Sequence, residues 1–243
     1  MSNPTDNGPT DTSSPRWRRL PEERPRQIID AAFAEFGEYG LEGARLDEIA
    51  RRAGVSKGTI YLYFASKDDL FRAVVRDKVV SVIEEAEARV ERAASEDIPS
   101  EEELRRYLFS HWAYVRSPMY QTMYRLTHTE LPQFPDLARF YGAEVVERAL
   151  RVTASIVSRG IARGEFREID PARTARSISA VCITHSVWFE RRKLFQLANS
   201  DTSEEVRDFL IDFVLHSLRP NVASPRADAL QSILSFPPAL PNA

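Results

Sequence analysis

The chain has 243 residues, 43% of them hydrophobic and 28% charged, with a formal net charge of −3. That length buries a sizeable core, and that balance is the profile of a soluble globular protein, neither fibrous nor disordered. The slight acidic excess excludes a global attraction to nucleic acid, and the single cysteine, Cys182, excludes an intramolecular disulfide and fits a reducing cytoplasm.

Residues 1–21 are rich in Pro, Ser, Thr, Asp and Asn. They hold too little apolar surface to offset ordering entropy, so a disordered tail is predicted and no signal peptide. Within it Arg16-Trp17-Arg18-Arg19 reads as a solvated segment, with a minor-groove or backbone contact to DNA as the alternative. From Pro25 to Leu218 the periodicity is helical almost throughout, with no convincing strand alternation. Ile29, Phe33 and Phe36 mark a first helix, broken by Gly37 and Gly40. Leu46, Ile49, Ala50 and Ala53 mark a second, ended by Gly54 where a left-handed cap is needed. Ile60 and Phe64 share a face of a third. Ser66 caps a fourth, with Asp69 as its capping-box partner, and this helix runs past Leu70, Phe71, Val74 and Val75 toward Ala94.

Further along, Pro99-Ser100 starts a helix carrying Leu104, Leu108 and Trp112, and Ser117-Pro118 starts another. Pro132 and Pro135 interrupt the pattern. Asp136 is expected to cap a long helix to about Arg163, closed by Gly164, and Asp170-Pro171 opens one to about Ala198. Thr202 and Glu205 form a capping box for the last, which stops before Pro220. The stretch Ser177–Phe189 is apolar and charge-free over 13 residues, short of the ~20 that span a bilayer, so it is a buried helix and no membrane contact is expected. The expectation is an all-α protein of about nine helices with a proline-punctuated tail over 220–243, in which Ala227–Phe236 forms at most a short docking helix.

The short third helix carries the chemistry. Gly58 inside it costs ~1 kcal/mol relative to alanine, and Tyr61 and Tyr63 add hydroxyls that core packing does not need. Helix 46–53, the turn Ala53-Gly54-Val55-Ser56 and helix 57–63 form a helix-turn-helix, whose second helix enters the major groove. Ser56 and Lys57 stand where a helix N-terminus favours phosphate. Gly58 removes the side chain that would hold the backbone off the DNA. Thr59 offers a hydroxyl, or its methyl to a thymine methyl, and the Tyr61 and Tyr63 hydroxyls suit phosphate oxygens. The charge supports this only locally. Between 45 and 67 stand Arg45, Arg51, Arg52, Lys57 and Lys67 against Asp47 and Glu48, whereas over 22–78 acidic and basic residues nearly cancel. Such a weakly basic patch suits a dimer that adds two of them.

The stretch from Leu46 to Val75 resembles the DNA-binding domain of the TetR/AcrR family of bacterial transcriptional regulators, by its helix-turn-helix, its Tyr61-Leu62-Tyr63-Phe64 ending and its Ser66-Lys67 start of the fourth helix. The likeness covers about residues 24–78. It implies DNA contacts at Ser56, Lys57, Gly58, Thr59, Tyr61 and Tyr63, with a further phosphate contact at Lys67. Two positions depart from the family pattern. Arg45 stands where a capping Ser or Thr is common, so its cap role is lost and a DNA contact takes its place, and Leu62 replaces a frequent His or Trp.

Carried further, the resemblance implies an N-terminal three-helix DNA-binding domain over 22–80 and a larger helical effector-binding and dimerisation domain over 81–219. The expected partners are a palindromic double-stranded operator, a second copy paired through the last two helices, and an apolar or aromatic small molecule. Segments Phe134–Tyr141 and Arg159–Phe166 resemble recurring pieces of such effector domains. Trp112, Met119, Met123, Tyr124, Phe134, Tyr141, Trp188 and Phe189 supply an aromatic and thioether stock for an apolar pocket. Each of them singly also suits the core.

The glycines Gly37, Gly40 and Gly43 follow no strand and make a turn between helices, not a phosphate loop. His111, His128, His185 and His216 lack metal-ligand spacing, and Cys182, in an apolar run, reads as an inert core thiol. No nucleophile–base set or carboxylate pair points to an enzyme, and no cofactor is implied. A ligand-responsive repressor is the main expectation. A helical enzyme or adaptor in which the helix-turn-helix is structural stays as the alternative.

Overall fold

A computed structural model describes residues 23–196 and 201–220, and every regular element among them is helical. The chain divides into two compact units, Met1–Val74 and Val75–Ala243. The expectations for the N-terminal tail with its Arg16–Arg19 cluster, and for the segment Ala227–Phe236, fall outside the described residues.

The first unit holds α1 (Glu23–Gly43), α2 (Leu46–Ala53), α3 (Lys57–Tyr63) and α4 (Lys67–Val75). The buried face of α1 is Ile28, Ala31, Ala32, Glu35 and Phe36, while Ile29 and Phe33 are only half-buried, one position off the predicted stripe. Gly37 does not break this helix. Gly40 does, because its φ of 77° lies where side chains are strained. Gly54, at φ 66°, gives α2 the left-handed cap, its N–H reaching the carbonyls of Ala50 and Arg51. Ser66 Oγ accepts from the Asp69 N–H at 3.1 Å and so caps α4. Phe36 and Phe71 meet edge to face at 5.8 Å, over a core of Ile28, Ile49, Ile60 and Leu70.

The second unit begins with a π-helical turn, Arg76–Val80, followed by α5 (Ser81–Ser95). Then come α6 (Ser100–Val115), α7 (Pro118–Thr129), a 3₁₀ turn at Leu131–Gln133, α8 (Pro135–Tyr141), a second π turn at Gly142–Glu147 and α9 (Arg148–Ala162). The last elements are α10 (Pro171–Arg191) and α11 (Ser203–Leu218). Counted through their two π turns, as 67–95 and 135–162, the eleven α segments make nine helices among the described residues.

The capping signals mostly act as written. Ser117 accepts from the Tyr120 N–H, Asp170 from the Arg173 N–H, and Thr202 and Glu205 form both halves of a capping box. Asp136 is an exception. Pro135 takes the first helical position, Phe134 is the N-cap, and Asp136 lies inside the first turn, where it pairs with Arg139. Likewise α10 ends at Arg191, short of the expected 198, and closes through the turn at Lys193–Gln196.

Leu104 and Leu108 from α6, Ile156 and Val157 from α9, Ile178 and Cys182 from α10 and four residues of α11 form one buried cluster. Phe166 completes it by lying on Gly160, where a side-chain Cβ would stand 2.1 Å from the ring. Across the helix ends, Glu103 pairs with Arg159. The Glu165 carboxylate takes the first N–H groups of α6, from Ser100 at 2.5 Å and Glu101 at 3.3 Å.

Candidate nucleic-acid interface and effector cavity

Helix α1 holds α2 at both ends through one buried carboxylate. Glu35, 1% exposed, accepts from the Arg45 N–H at 3.4 Å and meets Arg52 Nε at 3.0 Å. That contact orders the entry to α2 although Arg45 supplies no side-chain cap. The Arg45 side chain is left exposed.

The third helix is anchored by one buried residue, Ile60, which leaves the rest of its short surface outward. Ser56 Oγ caps it, accepting from the Thr59 N–H at 3.1 Å, and lies 2.8 Å from the Thr59 hydroxyl. Tyr61 is 51% exposed, Leu62 82% and Tyr63 42%. Packing within the first unit does not account for three large side chains turned outward on one seven-residue helix.

Gly58 resolves the cost noted in its sequence. A Cβ built there would find Ser56 Oγ at 3.7 Å, an ordinary contact, and its φ is not positive. Neither packing nor backbone conformation inside the protein requires glycine.

The local cations are already engaged. Lys57 Nζ lies 3.1 Å from Asp47, Arg51 2.8 Å from Glu48, and Arg52 reaches Glu38 as well as Glu35. The exposed pairs of Lys57 and Arg51 are worth at most ~1 kcal/mol and can exchange partners, whereas Arg52 is also held by the buried Glu35. Lys67 is different, because its Nζ donates to the carbonyls of Glu42 at 3.0 Å and Ala44 at 3.3 Å, closing the end of α1.

In the second unit a cavity of about 480 Å³ opens between α5, α6, α7, α9 and α10. Five tyrosines line it, Tyr107, Tyr114, Tyr120, Tyr124 and Tyr141, with His111, His128 and the aliphatic Val79, Ile83, Val145, Leu150 and Ile183. The rings form a chain. Tyr107 stacks on His111 at 5.5 Å, Tyr114 meets Tyr120 at 5.1 Å, Tyr120 meets Tyr124 at 6.0 Å, and Tyr124 covers His128 at 3.8 Å. Burial pushes the His111 imidazolium down to about 4 and Tyr141 up to about 12, and raises Tyr107, Tyr114 and Tyr120. At neutral pH His111 and these tyrosines are therefore uncharged. The cavity lining contains Arg89 and Arg176 and no carboxylate.

Of the eight residues expected from sequence, Tyr124 and Tyr141 line this cavity. Trp112 is buried against Val115 and Leu210, with its Nε1 donating to Ser203 at 3.1 Å. Phe189 stacks under the Arg116 and Arg192 guanidiniums, and Met123 is 1% exposed in the core. Met119 and Phe134 are half-buried away from the lining, and Trp188 is 54% exposed on α10. Sequence reasoning missed Tyr107, His111 and Tyr114, which follow one another at about one helical turn on α6, and Tyr120 on α7. Burial pushes the Cys182 thiol up to about 12, so it is an inert core group. No cluster of metal-ligating side chains occurs among the described residues.

Known proteins resemble both units. The profile of bacterial regulatory proteins of the tetR family matches residues 28–74, and that of the AefR-like transcriptional repressor C-terminal domain matches 102–217. A fatty acid metabolism regulator protein of Bacillus subtilis is 30% identical over 188 residues, spanning 74% of this chain and 94% of its own. Among solved structures, a protein of Mesorhizobium loti described as a TetR-family transcriptional regulator superimposes with a TM-score of 0.67 at 26% identity, over 82% of this chain and 98% of its own. The transcriptional regulator FadR of Bacillus subtilis, solved in complex with stearoyl-CoA, superimposes with a TM-score of 0.64 at 24% identity, over 80% and 99%.

Proposed function

The chain belongs to the TetR family of bacterial regulatory proteins and is a DNA-binding transcriptional regulator, and we propose that it represses by binding a palindromic operator as a homodimer and releases it when a small molecule fills the tyrosine-lined cavity. In this reading residues 22–80 read DNA and 81–219 sense the effector and dimerise, in the cytoplasm. One observation carries the DNA contact, namely that neither packing nor backbone conformation requires a glycine at position 58, while Tyr61, Leu62 and Tyr63 are exposed on the same short helix. A glycine that the fold does not need is explained by a partner that approaches the backbone closely.

The roles follow from chemistry. Free N–H groups at the start of α3, with Lys57 beside them, take a phosphate. Tyr61 and Tyr63 donate to phosphate oxygens, Thr59 meets a base edge, and Arg45 extends the contact from the start of α2. Lys67 has one ammonium hydrogen left for a phosphate after serving two carbonyls.

The effector reading rests on a cavity whose size and apolar walls suit a small organic molecule. Helical backbone runs unbroken from Lys67, at the proposed phosphate contact, to Ser95, beyond the cavity residues Val79, Val82, Ile83 and Ala86. A ligand that favours one position of that helix changes the spacing of the paired reading helices. Half-sites on one face of DNA lie ~34–36 Å apart, so a displacement of a few ångströms disengages one of them by population shift.

Dimerisation through α10 and α11 is supported by Trp188, Phe209 and Phe213, each more than half exposed in one copy. The test is a gel shift and footprint on the DNA upstream of the protein's own gene. Two protected half-sites support the reading, and no shift at any protein concentration up to micromolar sinks it.

A further inference from the structure

The first π turn reads Arg76-Asp77-Lys78-Val79-Val80, with neither glycine nor proline to force it, and its flanks Val75 and Ser81 keep ordinary helical backbone. Local sequence would continue the α-helix here, so the wide turn is held by its surroundings. It packs against the second π turn, and the two are fastened at both ends. At one end the Arg76 guanidinium lies 5.2 Å over the Phe140 ring. At the other, Arg148 grips the Glu87 carboxylate at 2.6 Å and 3.1 Å and reaches Glu84 at 3.7 Å.

A π turn is an α-helix that has taken in one extra residue. Resting on the effector reading above, we propose that this turn is a register store, which holds that residue in the operator-binding form and releases it into regular α-helix when the cavity fills, with Ser81 as the residue that arbitrates between the two registers.

Ser81 bonds in both directions. Its N–H reaches the Arg76 carbonyl, five residues back, and its hydroxyl donates to the Asp77 carbonyl at 2.6 Å. In an α-helix the Asp77 carbonyl takes the Ser81 N–H itself. The hydroxyl therefore satisfies the acceptor that the wide turn takes from the backbone, and in the α register it is surplus.

The cavity reads the difference. Val79 lines it from within the turn, while Val82, Ile83 and Ala86 line it from α5. A change of register turns Val79 against those three, so a molecule that touches both groups binds the two registers unequally, which is what a population shift requires. Each residue released into α-helix turns one flank against the other by about 100° and advances it by about 1.5 Å. Arg148 fastens α5, so the flank that yields is α4, which carries Lys67.

The test uses the full-length protein and needs no ligand, because Ala149 lines the cavity from α9 and Ala149→Phe fills part of it. That variant should bind the operator several-fold more weakly than the parent, with slower amide hydrogen exchange across residues 76–82. Ser81→Ala, which leaves the cavity alone, should do the same to a smaller extent. Deleting Lys78 removes the stored residue, so the deletion variant should bind the operator as the parent does and make both substitutions silent. Should that variant fail to fold, the operator titration and the exchange of Ser81→Ala decide alone. Unchanged affinity and exchange in Ser81→Ala overturn the proposal, and so do equal losses from Ala149→Phe with and without Lys78. An Ala149→Phe variant that binds like the parent removes the effector reading together with this one. A parent that binds no operator removes the regulator reading instead.

Discussion

Lys67 Nζ lies 3.0 Å from the carbonyl oxygen of Glu42, so the residue that the family pattern assigns to a phosphate also closes the end of α1. The two roles are separable. Replacing Lys67 with alanine should lower stability by about 1 kcal/mol, the scale of a half-exposed charged hydrogen bond. The same change should shallow the dependence of log operator affinity on log salt by ~0.9 for each phosphate that is no longer neutralised. Thermal melts and operator titrations at three salt concentrations read both. A lower melting temperature with an unchanged salt slope leaves Lys67 a purely structural residue.

Gly58→Ala separates fold from function in the opposite direction. Alanine is the better helix former by up to ~1 kcal/mol, and the nearest atom to the new Cβ is 3.7 Å away, so the variant should be as stable as the parent or more so. Operator affinity should nevertheless fall by about tenfold or more. A variant that melts higher and still binds the operator fully would remove DNA as the reason for the glycine.

Lys57→Ala and Tyr61→Phe should each weaken operator binding by several-fold with no loss of helicity. Both side chains are about half exposed, so neither supports the core. Lys57 gives up only an exposed pair with Asp47. Gel-shift titration alongside circular dichroism checks this, and unchanged titrations for both would displace the interface from α3.

His111 makes stability depend on pH. Its folded value, about 4, lies below the ordinary 6.5, so the unfolded chain binds the proton first as the pH falls. The contribution is whole above pH 6.5 and is lost progressively down to about pH 4, on the order of 3 kcal/mol in total. Denaturant midpoints measured from pH 7 to pH 4.5 should fall more steeply for the parent than for His111→Gln. Parallel curves would mean that the imidazole is not held neutral.

Phe209→Glu and Phe213→Glu place charge on stacked, outward rings of α11 without touching the buried Leu210, Ile211, Val214 and Leu215. The variants should remain helical, sediment as monomers and lose operator binding. The unmodified chain should sediment at twice the mass of its 27.7 kDa subunit. A parent that is already monomeric at micromolar concentration rules out the paired reading heads.

What the sequence determined by itself is whatever a few consecutive residues decide. Gly54 ends α2, Ser56 and Asp170 cap their helices, and Thr202 with Glu205 boxes the last one, because each bond closes within one turn. The helix α3, proposed above to read DNA, was legible as an element for the same reason, since its cap Ser56 and its residues Lys57 to Tyr63 form one short local unit. Even there local signals misplaced Asp136, because Pro135 fits the first helical position and moved the cap to Phe134. The cavity was not legible. Aromatic content alone cannot tell Tyr124, which lines it, from Trp112, which the core of α10 and α11 claims. That choice belongs to tertiary structure, because it depends on which faces of α5, α6, α7, α9 and α10 meet across long stretches of chain, and no spacing within one helix encodes that.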